Sequence, residues 1–339
     1  MVHVKTTLPL NVTITCKGFP DEDTANRAGY GLLDLTRELG KHIDLSILSV
    51  MTIAYDDIQY KNSIKEVNPR FSPSEGDAVG VAMSIGVLTD DGSICKHIVF
   101  KADLFAPYFI PKENFKTEDD LNESIQLMIH TVAHECAHVE ATDQMQKAFP
   151  YEVLKKKINN IHEEYLIRTL NICWDEYIVC YMSSAFGHDP LAGYFSILES
   201  QIKQIDERIQ VNFKEFLIKN DFQILMDSTF TLCSDLMKFS SYVIGTLRGQ
   251  NLNIESFPIF VLLKESWFFP YFQKLDLILE NIHISMENKN YDFTLFEHIA
   301  NLLDEICLKV GLITQPDGKK VFVRLTEAAY KKTILDLAL

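Results

Sequence analysis

The sequence is poor in positive charge and contains no long apolar run. It has 32 lysine and arginine residues against 47 aspartate and glutamate residues, so its formal net charge at pH 7 is -15. A surface with this excess of negative charge repels the phosphates of nucleic acids and of anionic lipids. No segment offers 18 consecutive uncharged apolar residues, and the first residues lack the pattern of an export signal. We therefore expect no nucleic-acid partner and no contact with a membrane.

The sequence also lacks paired cysteines. An odd number of cysteines with no CxxC spacing argues against a disulfide framework and is typical of reduced thiols in a cytoplasmic protein. We expect most of these side chains to be small core residues. The seven positions are Cys16, Cys95, Cys136, Cys173, Cys180, Cys233 and Cys307.

The overall composition is that of an ordinary globular protein. Hydrophobic residues make up 47% of the chain and charged residues 23%, and no internal repeat or low-complexity segment is present. A chain of 339 residues is long for one domain, which makes two packed units the expectation. The order of apolar and polar segments predicts an α+β fold with a mixed domain over 1–185 and a mainly helical domain over 186–339.

Short apolar runs and one amphipathic pattern alternate in the first third of the chain. NVTITC (11–16) predicts a strand, DEDTANRAGYGLLDLTREL predicts a helix that stops at Gly40, and LSILSVMTIAY (45–55) predicts a second strand. The polar stretch that follows, with Pro69 and Pro73, is expected to be a long loop. The runs AVGVAMSIGVL and SICKHIVFKADL flank TDDG and predict a hairpin.

Helices dominate the rest of the sequence. Thr117, followed by the acidic residues EDD, predicts the start of a helix that runs to about Phe149. A second helix is expected over roughly 159–184. Beyond it, ILESQIKQIDERIQVNFKEFL carries an apolar stripe that favours core packing. LITQPDGKKVFVRL near the end predicts a hairpin followed by a short helix. Further helices are expected at 222–247, 256–267, 270–285 and 293–310.

The segment HTVAHECAHVE contains the pattern H-E-x-x-H at His134, Glu135 and His138. Residues four apart lie one turn above each other on the same helix face, so both imidazoles can bind one ion while Glu135 flanks the open coordination position. A zinc ion held by three protein ligands lowers the pKa of a bound water to about 7, and Glu135 would be the general base. The pattern therefore predicts a zinc site with His134 and His138 as ligands.

The third ligand is expected on the next long helix. In WDEYIVC, Glu176 shares its face with mostly small or apolar residues, and a buried carboxylate needs a partner such as a metal. Asp175 lies on a more polar side, where a surface or supporting role suffices. Glu176 is the favoured ligand and Asp175 comes second. Less favoured candidates are Glu163, Glu164, Cys173 and Cys180.

His130 lies one turn before His134 and extends the row of histidines. It is two turns from His138, so a straight helix cannot bring it to an ion that His134 and His138 already hold. We expect His130 to be a hydrogen-bonded structural histidine. For Tyr177 and Tyr181, which could in principle stabilise an oxyanion, ordinary packing is the favoured interpretation.

The elements that lead into the H-E-x-x-H helix, with an acidic residue on the following helix, resemble the zincin metallopeptidases, and the downstream Glu resembles the gluzincin branch. The resemblance covers roughly residues 1–185 and implies zinc ligands at His134, His138 and Glu176 with Glu135 as the base. It also implies that an edge strand, here the run with Gly80 and Gly86, pairs with an extended substrate. The sequence departs from the branch pattern at Cys180, where an Asp is often found.

These observations predict a cytoplasmic zinc-dependent peptidase that acts on a peptide or protein substrate. The alternative is a non-catalytic interaction or regulatory protein that keeps a structural or vestigial zinc site. The helical region after residue 185 is large and lacks an evident catalytic group, so a protein partner could bind there.

Overall fold

A computed structural model describes residues 5–73 and 80–338 of the chain. The first elements are β1 (Thr13–Lys17), α1 (Glu22–Leu39), β2 (Leu48–Ala54), α2 (Asp57–Val67), β3 (Ala82–Leu88), β4 (Ile94–Lys101), α3 (Ala106–Phe109), α4 (Glu118–Ala148) and α5 (Pro150–Leu154). The later elements are α6 (Ile161–Ser183), α7 (Leu191–Lys219), α8 (Phe222–Gly249), α9 (Ile259–Glu265), α10 (Phe269–Glu287), α11 (Thr294–Val310), β5 (Leu312–Asp317), β6 (Lys320–Leu325) and α12 (Glu327–Ala338). The expected mixed α+β class, with a small sheet first and a helical region after it, is confirmed.

The chain forms two compact units. The first contains the described part of Met1–Lys155 together with Ile178–Pro190, and the second contains Lys156–Tyr177 together with the described part of Leu191–Leu339. The division falls within α6, between Tyr177 and Ile178. The predicted boundary after residue 185 falls inside the segment Ile178–Pro190, which belongs to the first unit.

The first unit is built on a four-stranded mixed sheet with the strand order β1-β2-β4-β3. β1, β2 and β4 are parallel, while β3 is antiparallel to β4 and joined to it through the predicted TDDG turn. β3 therefore lies at one edge of the sheet, as expected for the run with Gly80 and Gly86. Of that run, Ala78 and Val79 lie outside the described residues.

Helices cover both faces of this sheet. α1 and α4 pack on one face, where Ile98 and Phe100 of β4 join their core. α2 packs on the other face, against Val99 of β4 and Ile85 of β3. Successive residues of a strand point to opposite faces, so β4 contributes to both cores.

Helix α2 corrects the prediction of a long loop after residue 55. Asp56 caps its start by accepting a hydrogen bond from the backbone N–H of Gln59, at 2.8 Å. Tyr60 and Ile64 are buried, four residues apart on one face, and Val67 packs against the same cluster. The helix is short and, apart from the exposed Ile58, its other positions are polar, so the two prolines after it outweigh this weak spacing in the sequence.

The second unit is mainly helical, with the predicted C-terminal hairpin of β5 and β6 and the short helix α12. α7 packs along α8, and α10 and α11 pack against α8. Two polar pairs join helices of this unit. His162 of α6 lies 2.8 Å from Asp304 of α11, and Arg248 of α8 lies 2.8 Å from Asp276 of α10. Among the described residues, no helix combines the length and the apolar character needed to cross a bilayer.

The loop that follows α6 lies directly on helix α4 within the first unit. The backbone N–H of His188 donates to the carbonyl oxygen of Gln126 at 2.9 Å. Gly187 has a φ of +67°, a left-handed conformation that disfavours any residue with a Cβ. A Cβ there would also clash with the carbonyl oxygen of Gln126 and lie 2.6 Å from the backbone nitrogen of His130.

We expect Gly187→Ala to lower the free energy of unfolding by about 3 kcal/mol, because backbone strain and overpacking add. Gly92→Ala is the matched control, since Gly92 has a φ of +83° in the same unit but no atom lies within 4 Å of the place that its Cβ would take. It should cost only about 1 kcal/mol. Urea denaturation followed by circular dichroism measures both values, and equal losses would mean that the loop does not press on α4.

Candidate metal centre

Helix α4 carries the H-E-x-x-H pattern and starts where the sequence predicts. The Thr117 side chain accepts from the backbone N–H of Asp120 at 3.0 Å, and the Asp120 carboxylate accepts from the backbone N–H of Thr117 at 3.1 Å. This reciprocal capping box satisfies backbone donors that a helix start leaves unpaired. The helix ends at Ala148, just before Phe149 and Pro150.

Long-range hydrogen bonds fix the second half of α4 to the rest of the first unit. The Glu140 carboxylate accepts from the backbone N–H of Asp44 at 2.7 Å, in the connection between α1 and β2. The Gln146 side chain accepts from the N–H of Ile94 at 3.0 Å and donates to its carbonyl oxygen at 3.2 Å, at the start of β4. These bonds set both the height and the rotation of the helix relative to the sheet.

The structure brings His134, Glu135 and His138 together into a group whose ligand atoms all lie within 4.8 Å of one another. The two imidazole rings are 5.0 Å apart between centroids and nearly perpendicular, at 85°. Both histidines are partly exposed, whereas Glu135 is buried, with 7% of its surface accessible. The predicted base therefore sits in a less polar environment than the two predicted ligands.

The donor atoms of this group fit zinc. Two imidazole nitrogens with a carboxylate nearby are a donor set that zinc uses in proteins, whereas magnesium and calcium prefer oxygen donors. In a tetrahedral zinc site two ligand atoms lie roughly 3.4 Å apart, so small side-chain rotations would bring the imidazoles to bonding distance. Both rings are partly exposed, so solvent can reach them.

The negative charge of Glu135 affects the pKa of Tyr60 on α2. Burial raises the pKa of the Tyr60 hydroxyl above its usual range, and the negative charge of Glu135 raises it further. Burial and the same charge also raise the pKa of Cys136, the next residue of α4. Both groups therefore stay protonated near neutral pH, and Cys136 is a core thiol, as expected.

His130 is hydrogen bonded, as predicted. It is buried, and its Nδ1 atom lies 3.2 Å from the carbonyl oxygen of Phe186 in the loop after α6. Burial lowers the pKa of His130, and the bond to Phe186 opposes this shift. The His130 ring also contacts the His134 ring, with 6.2 Å between centroids.

Glu176 and Asp175 both lie on α6, in the part of that helix that belongs to the second unit. Glu176 is buried and Asp175 is partly exposed, which matches the apolar and polar sides expected from the sequence. The assignment of Glu176 as third ligand, with Asp175 as the second choice, stays a prediction. His134, Glu135 and His138 lie in the first unit.

Cys173 and Glu163 are two of the less favoured candidates for the third ligand, and both stay predictions. Burial raises the pKa of the Cys173 thiol to about 12. Glu163 accepts from the backbone N–H and the side-chain amide of Asn159, both at 2.8 Å, and serves the start of α6. Five of the seven cysteines are buried and two are partly buried, as predicted for core thiols.

Tyr177 supports the packing interpretation. It is fully buried, its hydroxyl lies 2.8 Å from Nδ1 of His283 on α10, and its ring lies 5.6 Å from that of Trp174. All three residues belong to the second unit. Tyr181 is partly buried.

Sequence reasoning missed two features of the first unit that bear on helix α4. Tyr60 lies on α2, where the sequence predicts a loop, although the cap at Asp56 and the four-residue spacing to Ile64 are visible signals. The acceptor for His130 is a backbone carbonyl 56 residues away in the chain. No side-chain pattern marks such a carbonyl.

We expect Glu176→Gln to lose most of its bound zinc, because a zinc site with an open position relies on each of its three protein ligands. Asp175→Asn changes the neighbouring carboxylate in the same way and should keep the metal. Zinc content after dialysis, measured by mass spectrometry, decides between them. Loss of zinc in Asp175→Asn alone would assign the third ligand to Asp175.

Comparison with protein-family models, with curated proteins and with solved structures found no match to this chain. The residues of the candidate centre and their geometry therefore carry the functional assignment.

Proposed function

We propose that the protein is a cytoplasmic zinc-dependent peptidase with a zincin-like first domain. The observation that carries this proposal is the group of His134, Glu135 and His138, whose ligand atoms lie within 4.8 Å of one another on consecutive turns of one helix. A carboxylate next to two ligands of one ion is the arrangement that metal-assisted hydrolysis needs.

Each residue of the group has a distinct role in this proposal. His134 and His138 hold the ion through one imidazole nitrogen each, and Glu176 is the proposed third ligand. Glu135 accepts the proton of the attacking water and passes it to the leaving amine. When bound, zinc activates that water near neutral pH and polarises the scissile carbonyl.

The position of Glu135 suits the role of a base. A general base must lie close to the proton that it takes, and the Glu135 carboxylate offers an oxygen within 4.8 Å of the ligand atoms of His134 and His138. The neighbouring core groups Tyr60 and Cys136 stay protonated and therefore do not compete for the proton near neutral pH.

Edge strand β3 is the proposed place for an extended substrate. α4 packs against β3 and β4 within the first unit, so the helix with the candidate centre and the sheet edge are neighbours. An edge strand offers backbone groups that can pair with a peptide. Gly86 of β3 has no side chain to block a close approach.

The alternative is a structural or vestigial zinc site in a non-catalytic interaction protein. A structural site is closed by four protein ligands, often thiolates. Both histidines of the group are partly exposed, which favours an open site. Visible absorption of the cobalt-substituted protein separates the two, because a thiolate ligand adds a strong charge-transfer band.

Replacing the proposed base should separate metal binding from chemistry. We expect Glu135→Gln to keep its zinc and to lower kcat/KM on a peptide library by about 100- to 10,000-fold, because a glutamine amide cannot take the proton. The control is Glu123→Gln, an exposed glutamate on the same helix, which should cleave as the parent does. Undiminished cleavage by zinc-loaded Glu135→Gln would refute the role of Glu135.

A further inference from the structure

The hydrogen bond of His130 fixes which of its ring nitrogens carries a proton. A carbonyl oxygen only accepts hydrogen bonds, so Nδ1 of His130 must donate to Phe186. The imidazole is then the Nδ1–H tautomer, and rotation of the ring would break the bond. Because the ring is buried, the lost bond would not be replaced by water.

The acceptor is itself held in place by the loop after α6. Gly187 packs against the backbone of α4 at His130, and the N–H of His188 donates to the carbonyl oxygen of Gln126. Gln126 lies one helical turn before His130, so the loop is attached to the turn of α4 that carries this histidine. The side chain of Phe186 rests against His42, with 5.9 Å between ring centroids.

The His130 ring faces the first predicted metal ligand. The centroids of His130 and His134 are 6.2 Å apart and the planes are inclined by 46°, within the range of contacting aromatic pairs. We propose that His130 is a positioning residue, locked by the Phe186 carbonyl, that holds the His134 ring in the orientation needed to bind the ion. This inference rests on the proposed zinc site and adds to it a residue that H-E-x-x-H does not contain.

The physical reason is preorganisation. A histidine ligand binds well only if its ring is aimed at the ion, and groups around the ligands commonly change metal affinity about 10- to 100-fold. His134 follows His130 by one turn, so a ring fixed at 130 limits the rotations open to the ring at 134. The proposed effect of His130 is on the orientation of a ligand and not on the base Glu135, which predicts a change in zinc affinity rather than in proton transfer.

Two substitutions disrupt the hydrogen bond between His130 and the Phe186 carbonyl in independent ways. His130→Phe keeps a ring beside His134 but loses the donor, and Gly187→Ala displaces the acceptor. We expect each to raise the Kd for zinc about 10-fold or more in competition titrations with a chelator. The d–d absorption band of the cobalt-substituted protein should shift with them.

The matched controls are His42→Phe, which preserves a ring contact with Phe186, and Gly92→Ala, which adds a methyl group in open space. Both should bind zinc like the parent. All titrations are made on protein that circular dichroism shows to be folded, because a merely structural role would lower stability and leave the Kd of the folded form unchanged. A parent-like Kd for His130→Phe overturns the inference, even if Gly187→Ala fails to fold.

Nitrogen NMR on the metal-free protein tests the hydrogen bond of His130 without an activity assay. The Nδ1–H tautomer of His130 is expected, and an Nε2–H tautomer would overturn the inference while leaving the proposed peptidase in place. If the parent binds no zinc, the proposed function fails and the inference fails with it. If the parent binds zinc but His134→Ala binds it equally well, the site itself is misassigned.

Discussion

One turn of helix α4 separates His134 from His138, and the position of that turn within the first unit is the constraint on which the candidate centre depends. The rise and twist of an α-helix bring the two imidazoles to the same face without any further folding information. What the helix alone does not fix is where this face points. The hydrogen bonds of Glu140 to Asp44 and of Gln146 to Ile94 supply that, because they tie the helix to the connection before β2 and to the start of β4.

The same helix carries several buried polar side chains, which is costly unless each finds a partner. Asp143 is 4% exposed and pairs with Lys147, and His130 donates to the Phe186 carbonyl. Glu140 accepts from a backbone N–H. The polar side chains of α4 that bond to the backbone of another segment, His130 and Glu140, therefore anchor the helix. The H-E-x-x-H pattern lies between two such anchors, with the His130 bond on its N-terminal side and the Glu140 bond on its C-terminal side.

Local signals predicted those elements whose start and stop lie in their own sequence. The capping box of Thr117 and Asp120 marks α4, and Gly40 stops α1 as predicted. The hairpins around TDDG and around Asp317 and Gly318 also follow from local turn residues. Helix α2 was missed because its buried face is short, and because packing on the sheet rather than helix propensity holds it in place. Helix propensity and apolar spacing are weak predictors of an element whose stability comes mostly from tertiary contacts.

The sequence by itself determined the chemistry that the candidate centre can offer: two imidazoles four residues apart, a carboxylate beside the first, and a long helix to carry them. Those features depend only on residue type and helical geometry. Only the tertiary structure decided which groups surround them. The acceptor for His130 comes from 56 residues away and the donor to Glu140 from 96 residues away, and both are backbone atoms that every residue possesses. Such partners leave no mark in the sequence, because they are selected by the path of the chain and not by the identity of a side chain.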